Sequence, residues 1–100
     1  MMKKGVVIVN TARGAVMDED ALVKALDNGT VWSCGLDVYE EEPKVHPGLV
    51  ANPHVMLLPH MGTWTVETQT QMEEWNIGNV RAVVEKGRLN NIVPEQADMA

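Results

Sequence analysis

The sequence predicts an α/β fold in which helices flank a parallel sheet. Residues 5–10 form an apolar run without polar alternation, which suits a strand that is covered on both faces. Two further apolar segments, residues 31–38 and 54–59, also have the length of strands. Segments with helical spacing follow the first and the third of these runs. The order strand, helix, strand, loop, strand, helix is typical of a parallel sheet with right-handed crossovers.

The helix after the first strand has clear boundaries in the sequence. Asp18 can cap its N-terminus, and Glu19 and Asp20 place negative charge in the first turn, where the helix dipole favours it. Asn28 and Gly29 predict its end. An apolar stripe at helical spacing runs along it and consists of Ala21, Leu22, Ala25 and Leu26.

The remaining segments are an acidic loop, a long helix and a tail. The loop is predicted over residues 39–52, between the second and third strands. The long helix is predicted from about Thr65 to Lys86, with Gly87 as its stop signal. Residues 90–100 are predicted to be an extended tail. The apolar positions of the long helix are Met72, Trp75, Val80, Val83 and Val84.

Composition narrows the classes of function. The length of 100 residues suits one small domain, and the net charge of −6 leaves no basic stripe for a nucleic-acid partner. The longest apolar run, Val6 to Val9, is far too short to span a bilayer. The lone Cys34 fits a reducing compartment, so we expect a cytoplasmic protein without a membrane partner. No metal-ligand spacing and no Gly-rich phosphate loop stand out in the sequence.

Polar residues follow each predicted strand, and ligands of open parallel sheets bind outside the carboxyl ends of the strands. Arg13 follows the first strand and precedes Gly14, which lets the backbone turn tightly. A lone arginine is usually a surface residue that pairs with an acid. A guanidinium at a strand end, however, can bind a carboxylate through two parallel hydrogen bonds. We therefore favour Arg13 as a substrate anchor.

His60 follows the third strand and is the candidate for proton exchange. A lone histidine is more often structural, but this one lies at the same predicted sheet edge as Arg13. Histidine is also the residue type best suited to exchange a proton near neutral pH. A carboxylate beside it would fix its tautomer and favour the imidazolium. Glu42, next to Pro43, is our choice for that carboxylate, although spacing alone does not separate it from Glu41.

Asp37 lies between apolar residues at the end of the second strand, so we expect it to be buried. It either caps a loop or hydrogen-bonds a cofactor at the sheet edge. His46 and His54 lack such placement and are predicted to be loop and surface residues. Cys34 is predicted to be a small buried apolar residue rather than a nucleophile, because no base is expected nearby.

Three ordered motifs resemble a known enzyme family. The segments VNTARGAVMDEDALVKAL, GLDVYEEEP and LLPHMGTWT are similar to consecutive signatures of the D-isomer-specific 2-hydroxyacid dehydrogenases. The resemblance covers essentially Lys3 to Asn91 and points to the glyoxylate or hydroxypyruvate reductase branch. The segment PHMGTWTVET is similar to fungal members. It implies a Rossmann-type sheet, of which this chain would be the C-terminal half.

The resemblance also implies roles for individual residues. Arg13 would bind the carboxylate and carbonyl of a 2-oxo acid, His60 would be the catalytic acid/base, and Glu42 would be the histidine's partner. The resemblance thus favours Glu42 over Glu41 as the partner of His60. The residues that would contact the NAD or NADP cofactor are Thr11, Ala12, Arg13, Asp37, His60 and Gly62.

The family pattern implies a larger parent protein. Residues 1–88 would be the C-terminal half of the NAD(P)-binding domain, and residues 89–100 a tail that returns to the substrate domain. The parent would transfer a hydride between NAD(P)H and a small 2-oxo acid, and would be a homodimer. The Gly-x-Gly-x-x-Gly turn that binds the cofactor's pyrophosphate is absent from these 100 residues, so we expect the isolated chain to be inactive.

Two other classes of function remain open at this point. The C-terminal-binding-protein corepressors share the fold and the same Arg, Glu and His, but use the dinucleotide to drive dimerisation. Alternatively, the chain is a small α/β interaction module or an inactive remnant, whose open sheet edge would pair with another chain.

Overall fold

The computed structural model describes residues 1–99 and divides into two compact units. The first unit runs from Met1 to Gly62 and contains the sheet. The second unit begins at Thr63 and contains the long helix.

The sheet has three parallel strands, as the sequence predicts. They are β1 (Val6–Asn10), β2 (Val31–Leu36) and β3 (Val55–Leu57), in the spatial order β1-β2-β3. Asn10 pairs with Leu36, and Leu36 pairs with Leu57, so the three strands end at the same edge. The prediction of an α/β fold with a parallel sheet is confirmed. The loops that follow the three strands all begin at the same edge of the sheet.

Helix α1 (Glu19–Asp27) begins and ends where the sequence indicates. Its N-cap residue is Asp18, whose carboxylate accepts a hydrogen bond from the backbone N–H of Ala21 at 3.0 Å. The helix buries Leu22 and Leu26, two members of the predicted apolar stripe. A short 3-10 helix, Gly14–Val16, precedes it.

A second short helix corrects the prediction of a continuous loop over residues 39–52. Helix α2 (Pro47–Val50) begins after His46, whose ring nitrogen accepts a hydrogen bond from the N–H of Gly48 at 3.0 Å. The Nε2 atom of His46 lies 2.7 Å from the carboxylate of Asp20. Four residues are too few to show a helical repeat in the sequence, which is why the pattern did not reveal this helix.

The core of the first unit lies on one face of the sheet. On that face, the side chains of α1 and α2 pack against β2 and the residues that follow it. On the other face, Val7 and Val9 are 57% and 71% exposed. Within Met1–Gly62, helices α1 and α2 therefore cover one face of the first strand, and the cover on both faces that the sequence suggests stays a prediction. The buried cluster consists of Leu22, Leu26, Val31, Cys34, Leu36, Tyr39 and Leu49.

The second unit is built on α3 (Val66–Lys86). The hydroxyl of its N-cap residue, Thr65, accepts from the N–H of Thr68 at 3.1 Å, and Gly87 ends the helix in the left-handed conformation with φ of 72°. Ala82 is the buried residue of this helix, and its five predicted apolar positions are exposed. Within residues 63–99, the structure describes this long helix and one short 3-10 helix.

The tail differs from the extended segment that the sequence suggests. Residues Pro94–Met99 form a 3-10 helix, which Pro94 can begin because its fixed φ suits a first helical position. Upstream, the side-chain oxygen of Asn79 accepts from the N–H groups of Asn90 and Asn91 at 3.0 and 2.9 Å, so the chain turns back onto α3. Across residues 1–99, none of the helices combines the length and the apolar character that crossing a membrane requires.

Candidate active site

The side chain of Asn10 shapes the turn that follows β1. Its amide donates to the carbonyl oxygen of Arg13 at 3.1 Å, and its Oδ1 accepts from the N–H of Ala12 at 3.1 Å. Asn10 is only 6% exposed, and the two bonds are partly buried. Sequence reasoning missed this role, although an asparagine that bonds to its own backbone two residues later is a known turn signal.

Arg13 extends from this turn into solvent. Its backbone is extended, with φ of −145°, and its guanidinium donates to the carbonyl oxygen of Ala12 at 2.8 Å. The positive charge of Arg13 is one of the groups that lower the pKa of the Glu42 carboxyl. The guanidinium therefore acts on the same small region as the acidic loop after β2.

Glu42 and His60 form a hydrogen-bonded pair. The Oε2 atom of Glu42 lies 2.9 Å from Nδ1 of His60, and the two side chains are 36% and 51% exposed. The bond from His60 is the largest cause that holds the pKa of the Glu42 carboxyl below its ordinary value, and the bond from the N–H of Tyr39 is the next. The carboxylate is thus charged near neutral pH and occupies Nδ1, which leaves Nε2 free to meet a ligand.

Two of the three consecutive acids of the loop, Glu40 and Glu42, have different partners. The N–H of Tyr39 donates to Oε1 of Glu42 at 3.0 Å, and this bond orients the carboxylate toward His60. Glu40 instead pairs with the start of α1. It accepts from the N–H of Glu19 at 3.3 Å, and its own N–H donates to the Glu19 carboxylate at 2.9 Å. No local sequence pattern indicates the reciprocal bonds between Glu19 and Glu40, because the two residues lie 21 positions apart.

Asp37 is buried at the end of β2, as expected. It is 4% exposed, and its two oxygens accept from the N–H groups of Met61 and Gly62 at 2.7 and 2.8 Å. Its carboxylate thus organises the turn that directly follows His60. Thr11 and Ala12, at the end of β1, are exposed.

An open pocket of about 600 Å³ adjoins the Glu42–His60 pair. Apart from these two residues its lining is largely apolar, and it lies entirely within the first unit. The other lining residues are Tyr39, Pro43, Val45, Leu57, Leu58 and Pro59.

The other candidate groups do not join this site. His46 caps α2. His54 is exposed, as predicted, and its ring lies 5.1 Å from the ring of Trp32. Burial raises the pKa of the Cys34 thiol, which is 2% exposed on the central strand. Within residues 1–99 we find no group of three or more His, Cys, Asp or Glu side chains that could hold a metal ion.

Comparison with known proteins gives consistent relatives. A 4-methyl-2-oxopentanoate reductase of Aspergillus oryzae is 62% identical over 98 residues, which are 98% of this chain and 30% of that protein. A glyoxylate reductase structure from Paecilomyes thermophila is 63% identical with a TM-score of 0.88, and the match covers 95% of this chain and 29% of the other.

A third relative was crystallised with a dinucleotide. The NADPH-dependent glyoxylate/hydroxypyruvate reductase of Sinorhizobium meliloti, in complex with NADP and malonate, is 40% identical with a TM-score of 0.85. That match covers 93% of this chain and 29% of the other. The chain therefore spans less than a third of the length of these relatives.

The family itself is identified by its sequence profile. The profile described as D-isomer specific 2-hydroxyacid dehydrogenase, NAD binding domain, matches residues 1–62. This range is the first compact unit, and it contains all three strand ends and the Glu42–His60 pair. The predicted family is confirmed, and so is the predicted Rossmann-type fold, which the similar solved structures share. The chain belongs to the D-isomer-specific 2-hydroxyacid dehydrogenase family and carries part of its NAD-binding domain.

Proposed function

We propose that the protein containing this chain reduces small 2-oxo acids to D-2-hydroxy acids with a hydride from NADH or NADPH. The observation that carries the proposal is the pair of Glu42 and His60, with a bond of 2.9 Å, at the sheet edge where Arg13 also lies. This arrangement combines a proton donor, a carboxylate that favours its charged form and a guanidinium for a carboxylate substrate.

The residues of the site divide the work. Arg13 binds the substrate carboxylate and stabilises negative charge that develops on the keto oxygen. Glu42 holds Nδ1 of His60, so the proton that neutralises the keto oxygen comes from Nε2. In the oxidation direction, Nε2 of the neutral imidazole takes the proton back.

The residues at the strand ends fit a nicotinamide cofactor. Thr11 and Ala12 expose hydroxyl and backbone groups after β1, and Asp37 and Gly62 form a polar corner after β2 and β3. These are neutral or hydrogen-bonding groups rather than a phosphate clamp, which suits the nicotinamide end of the molecule. A bound NAD(P)H supplies the hydride that reduces the keto carbon. We assign cofactor contacts to Thr11, Ala12, Arg13, Asp37, His60 and Gly62.

The pocket beside His60 supports substrates with an aliphatic chain as well as glyoxylate or hydroxypyruvate. Its apolar lining can hold a hydrocarbon group next to the reacting carbonyl, and one relative is named a 4-methyl-2-oxopentanoate reductase. The relatives are named as reductases, so the corepressor and interaction-module alternatives are not favoured.

The organisation of the parent completes the proposal. We assign residues 1–88 to the second half of its NAD(P)-binding domain and residues 89–100 to a tail that returns to its substrate domain. The resemblance implies a homodimer, and the lone Cys34 supports a cytoplasmic location.

A chimera tests the function. This chain replaces the matching segment of the Paecilomyes thermophila glyoxylate reductase, and the product is assayed with NADH and NADPH against glyoxylate, hydroxypyruvate and 4-methyl-2-oxopentanoate. His60→Ala should lower kcat by roughly 100- to 10,000-fold, the general range for acid–base catalysis, which is far more than it weakens dinucleotide binding. His54→Ala, at the exposed histidine, is the matched control and should leave kcat unchanged. Wild-type kcat in the His60→Ala chimera would reject the assignment.

A further inference from the structure

We propose that Asp37 is a positioning residue that holds His60 in place through the backbone of the two residues that follow it. The inference rests on the proposed function, because it concerns the acid/base of that same site. It differs from a cofactor contact, which is the role that the family resemblance implies for Asp37.

The backbone of His60 needs external support. Its φ is 56°, and among the residues that the structure describes it is the one non-glycine residue with positive φ. The left-handed region is unfavourable for a residue with a Cβ atom and persists only where surrounding contacts impose it. The orientation of the imidazole therefore depends on the groups that fix the peptides on either side of His60.

Asp37 supplies these contacts on the C-terminal side. Its carboxylate receives one N–H on each oxygen, from Met61 at 2.7 Å and from Gly62 at 2.8 Å. Bonds from N–H groups to a charged, buried carboxylate are stronger than bonds between neutral groups, and a charge in the interior needs such partners. Asp37 is itself fixed, because its own N–H donates to the carbonyl oxygen of Asn10 at 3.1 Å.

The N-terminal side of His60 is held by Tyr39. The Tyr39 hydroxyl lies 2.6 Å from the carbonyl oxygen of Leu58, two residues before His60, and the Tyr39 N–H donates to Glu42. Tyr39 thus holds the carboxylate of Glu42 and the backbone before His60, whereas Asp37 holds the backbone after it. Loss of the Asp37 charge should let the turn relax and draw Nδ1 of His60 away from Glu42.

The titration of Glu42 reports on this geometry directly. The bond from His60 is the largest cause of the lowered pKa of the Glu42 carboxyl, so loss of that bond should return the pKa toward the ordinary glutamate value. We would measure the Glu42 side-chain carboxyl by ¹³C NMR as a function of pH in this chain and in Asp37→Asn. The asparagine keeps the shape of the side chain but presents an NH₂ group to one of the two backbone donors.

Two control variants separate positioning from general effects. Asp27→Asn removes the same charge at an exposed position on α1 and should leave the Glu42 titration unchanged. Leu26→Ala destabilises the core, where Leu26 is 8% exposed, and should lower stability without shifting the titration of the folded protein. An Asp37→Asn protein with the wild-type Glu42 titration would overturn the proposal.

A second variant decides the question if Asp37→Asn does not fold. Replacing the peptide bond between Met61 and Gly62 by an ester, through semisynthesis, removes the Gly62 N–H without changing a charge or a side chain. The Glu42 titration should then shift in the same direction but by a smaller amount. An unchanged titration in the ester protein would also overturn the proposal.

The chimera distinguishes positioning from cofactor contact. Asp37→Asn should lower kcat by about 10- to 100-fold, the scale of a small misplacement of a catalytic group, and this loss should exceed any loss of apparent dinucleotide affinity that arises from its assigned cofactor contact. A large loss of dinucleotide affinity at constant kcat would instead assign Asp37 to cofactor binding alone. A folded chimera that binds dinucleotide but reduces no 2-oxo acid would reject the proposed function, while the NMR result would still decide the role of Asp37.

Discussion

The backbone of Gly14 lies directly against the carbonyl group of Tyr39. A Cβ atom at position 14 would overlap that carbonyl and stand 2.5 Å from the amide nitrogen of Glu40. Because all of these are backbone atoms, no side chain can rotate to make room. The residue after Arg13 must therefore be glycine for the loops that carry Arg13 and Glu42 to meet.

Gly14→Ala should destabilise the chain by about 1–3 kcal/mol, the usual cost of overpacking, because the Tyr39 segment must move. The change in the free energy of unfolding can be measured by urea denaturation. Gly35→Ala is the matched control, since the space around a Cβ atom at Gly35 is open and its φ is not positive. Equal stability of the two variants would contradict the close contact between Gly14 and Tyr39.

Arg13→Lys should lower kcat/KM for 2-oxo acids in the chimera by about 10- to 100-fold, because bonds to charged groups contribute roughly 1.5–3 kcal/mol and lysine lacks the planar fork. Both KM and kcat should suffer, since the guanidinium binds the substrate and stabilises developing charge. Arg81→Lys, at an exposed position on α3, is the control. Unchanged kinetics at position 13 would make Arg13 an ordinary surface residue.

Glu42→Gln should shift the pH profile of reduction to lower pH. Reduction needs the protonated imidazole, and the Glu42 carboxylate, whose pKa is lowered by the bond from His60, favours that protonated form. Glu42→Gln removes this carboxylate, so the rate of reduction should fall earlier as pH rises. The profile of kcat/KM against pH, with Glu41→Gln as control, measures the shift. A profile that moves equally in both variants would assign the effect to loss of surface charge.

Whether a contact can be predicted from the sequence depends on how many residues separate its two partners along the chain. Local signals sufficed for α1 and α3, because Asp18, Thr65 and Gly87 act within one turn of the helix end that they cap. The three strands followed from their apolar runs. The contacts of Asp37 with Met61 and Gly62 span 24 and 25 residues, so no local pattern indicates them.

The candidate site shows the same division. The ends of parallel strands predicted that Arg13, Glu42 and His60 share an edge, but the choice of Glu42 over Glu41 needed the family resemblance. In the structure Glu42, whose Oε1 accepts from the N–H of Tyr39, lies 2.9 Å from Nδ1 of His60. The short helix α2 and the 3-10 helix Pro94–Met99 were missed, since neither is long enough for a helical repeat to emerge.

The 100-residue chain alone should not oxidise NADH or NADPH in the presence of glyoxylate or hydroxypyruvate. It spans 30% of the length of its Aspergillus oryzae relative, and its sequence holds no glycine turn for the pyrophosphate, so the reactants are not held in reacting geometry. Absorbance of the reduced dinucleotide measures turnover. Sedimentation should show self-association, because β1 is an edge strand and Val9 is exposed. Clear turnover by a folded monomer would contradict this expectation.

The buried position of Cys34 allows opening of the core to be measured by the rate at which its thiol is alkylated. This single thiol lies on the central strand, is 2% exposed within the buried cluster, and has a pKa that burial raises, so it reacts with an alkylating reagent only when the side chains packed on that face of the sheet move apart. The labelling rate at fixed reagent concentration therefore measures how often the middle of the sheet becomes accessible. Applied to Gly14→Ala or Asp37→Asn, it separates a disturbance confined to the loops from one that reaches the strands beneath them.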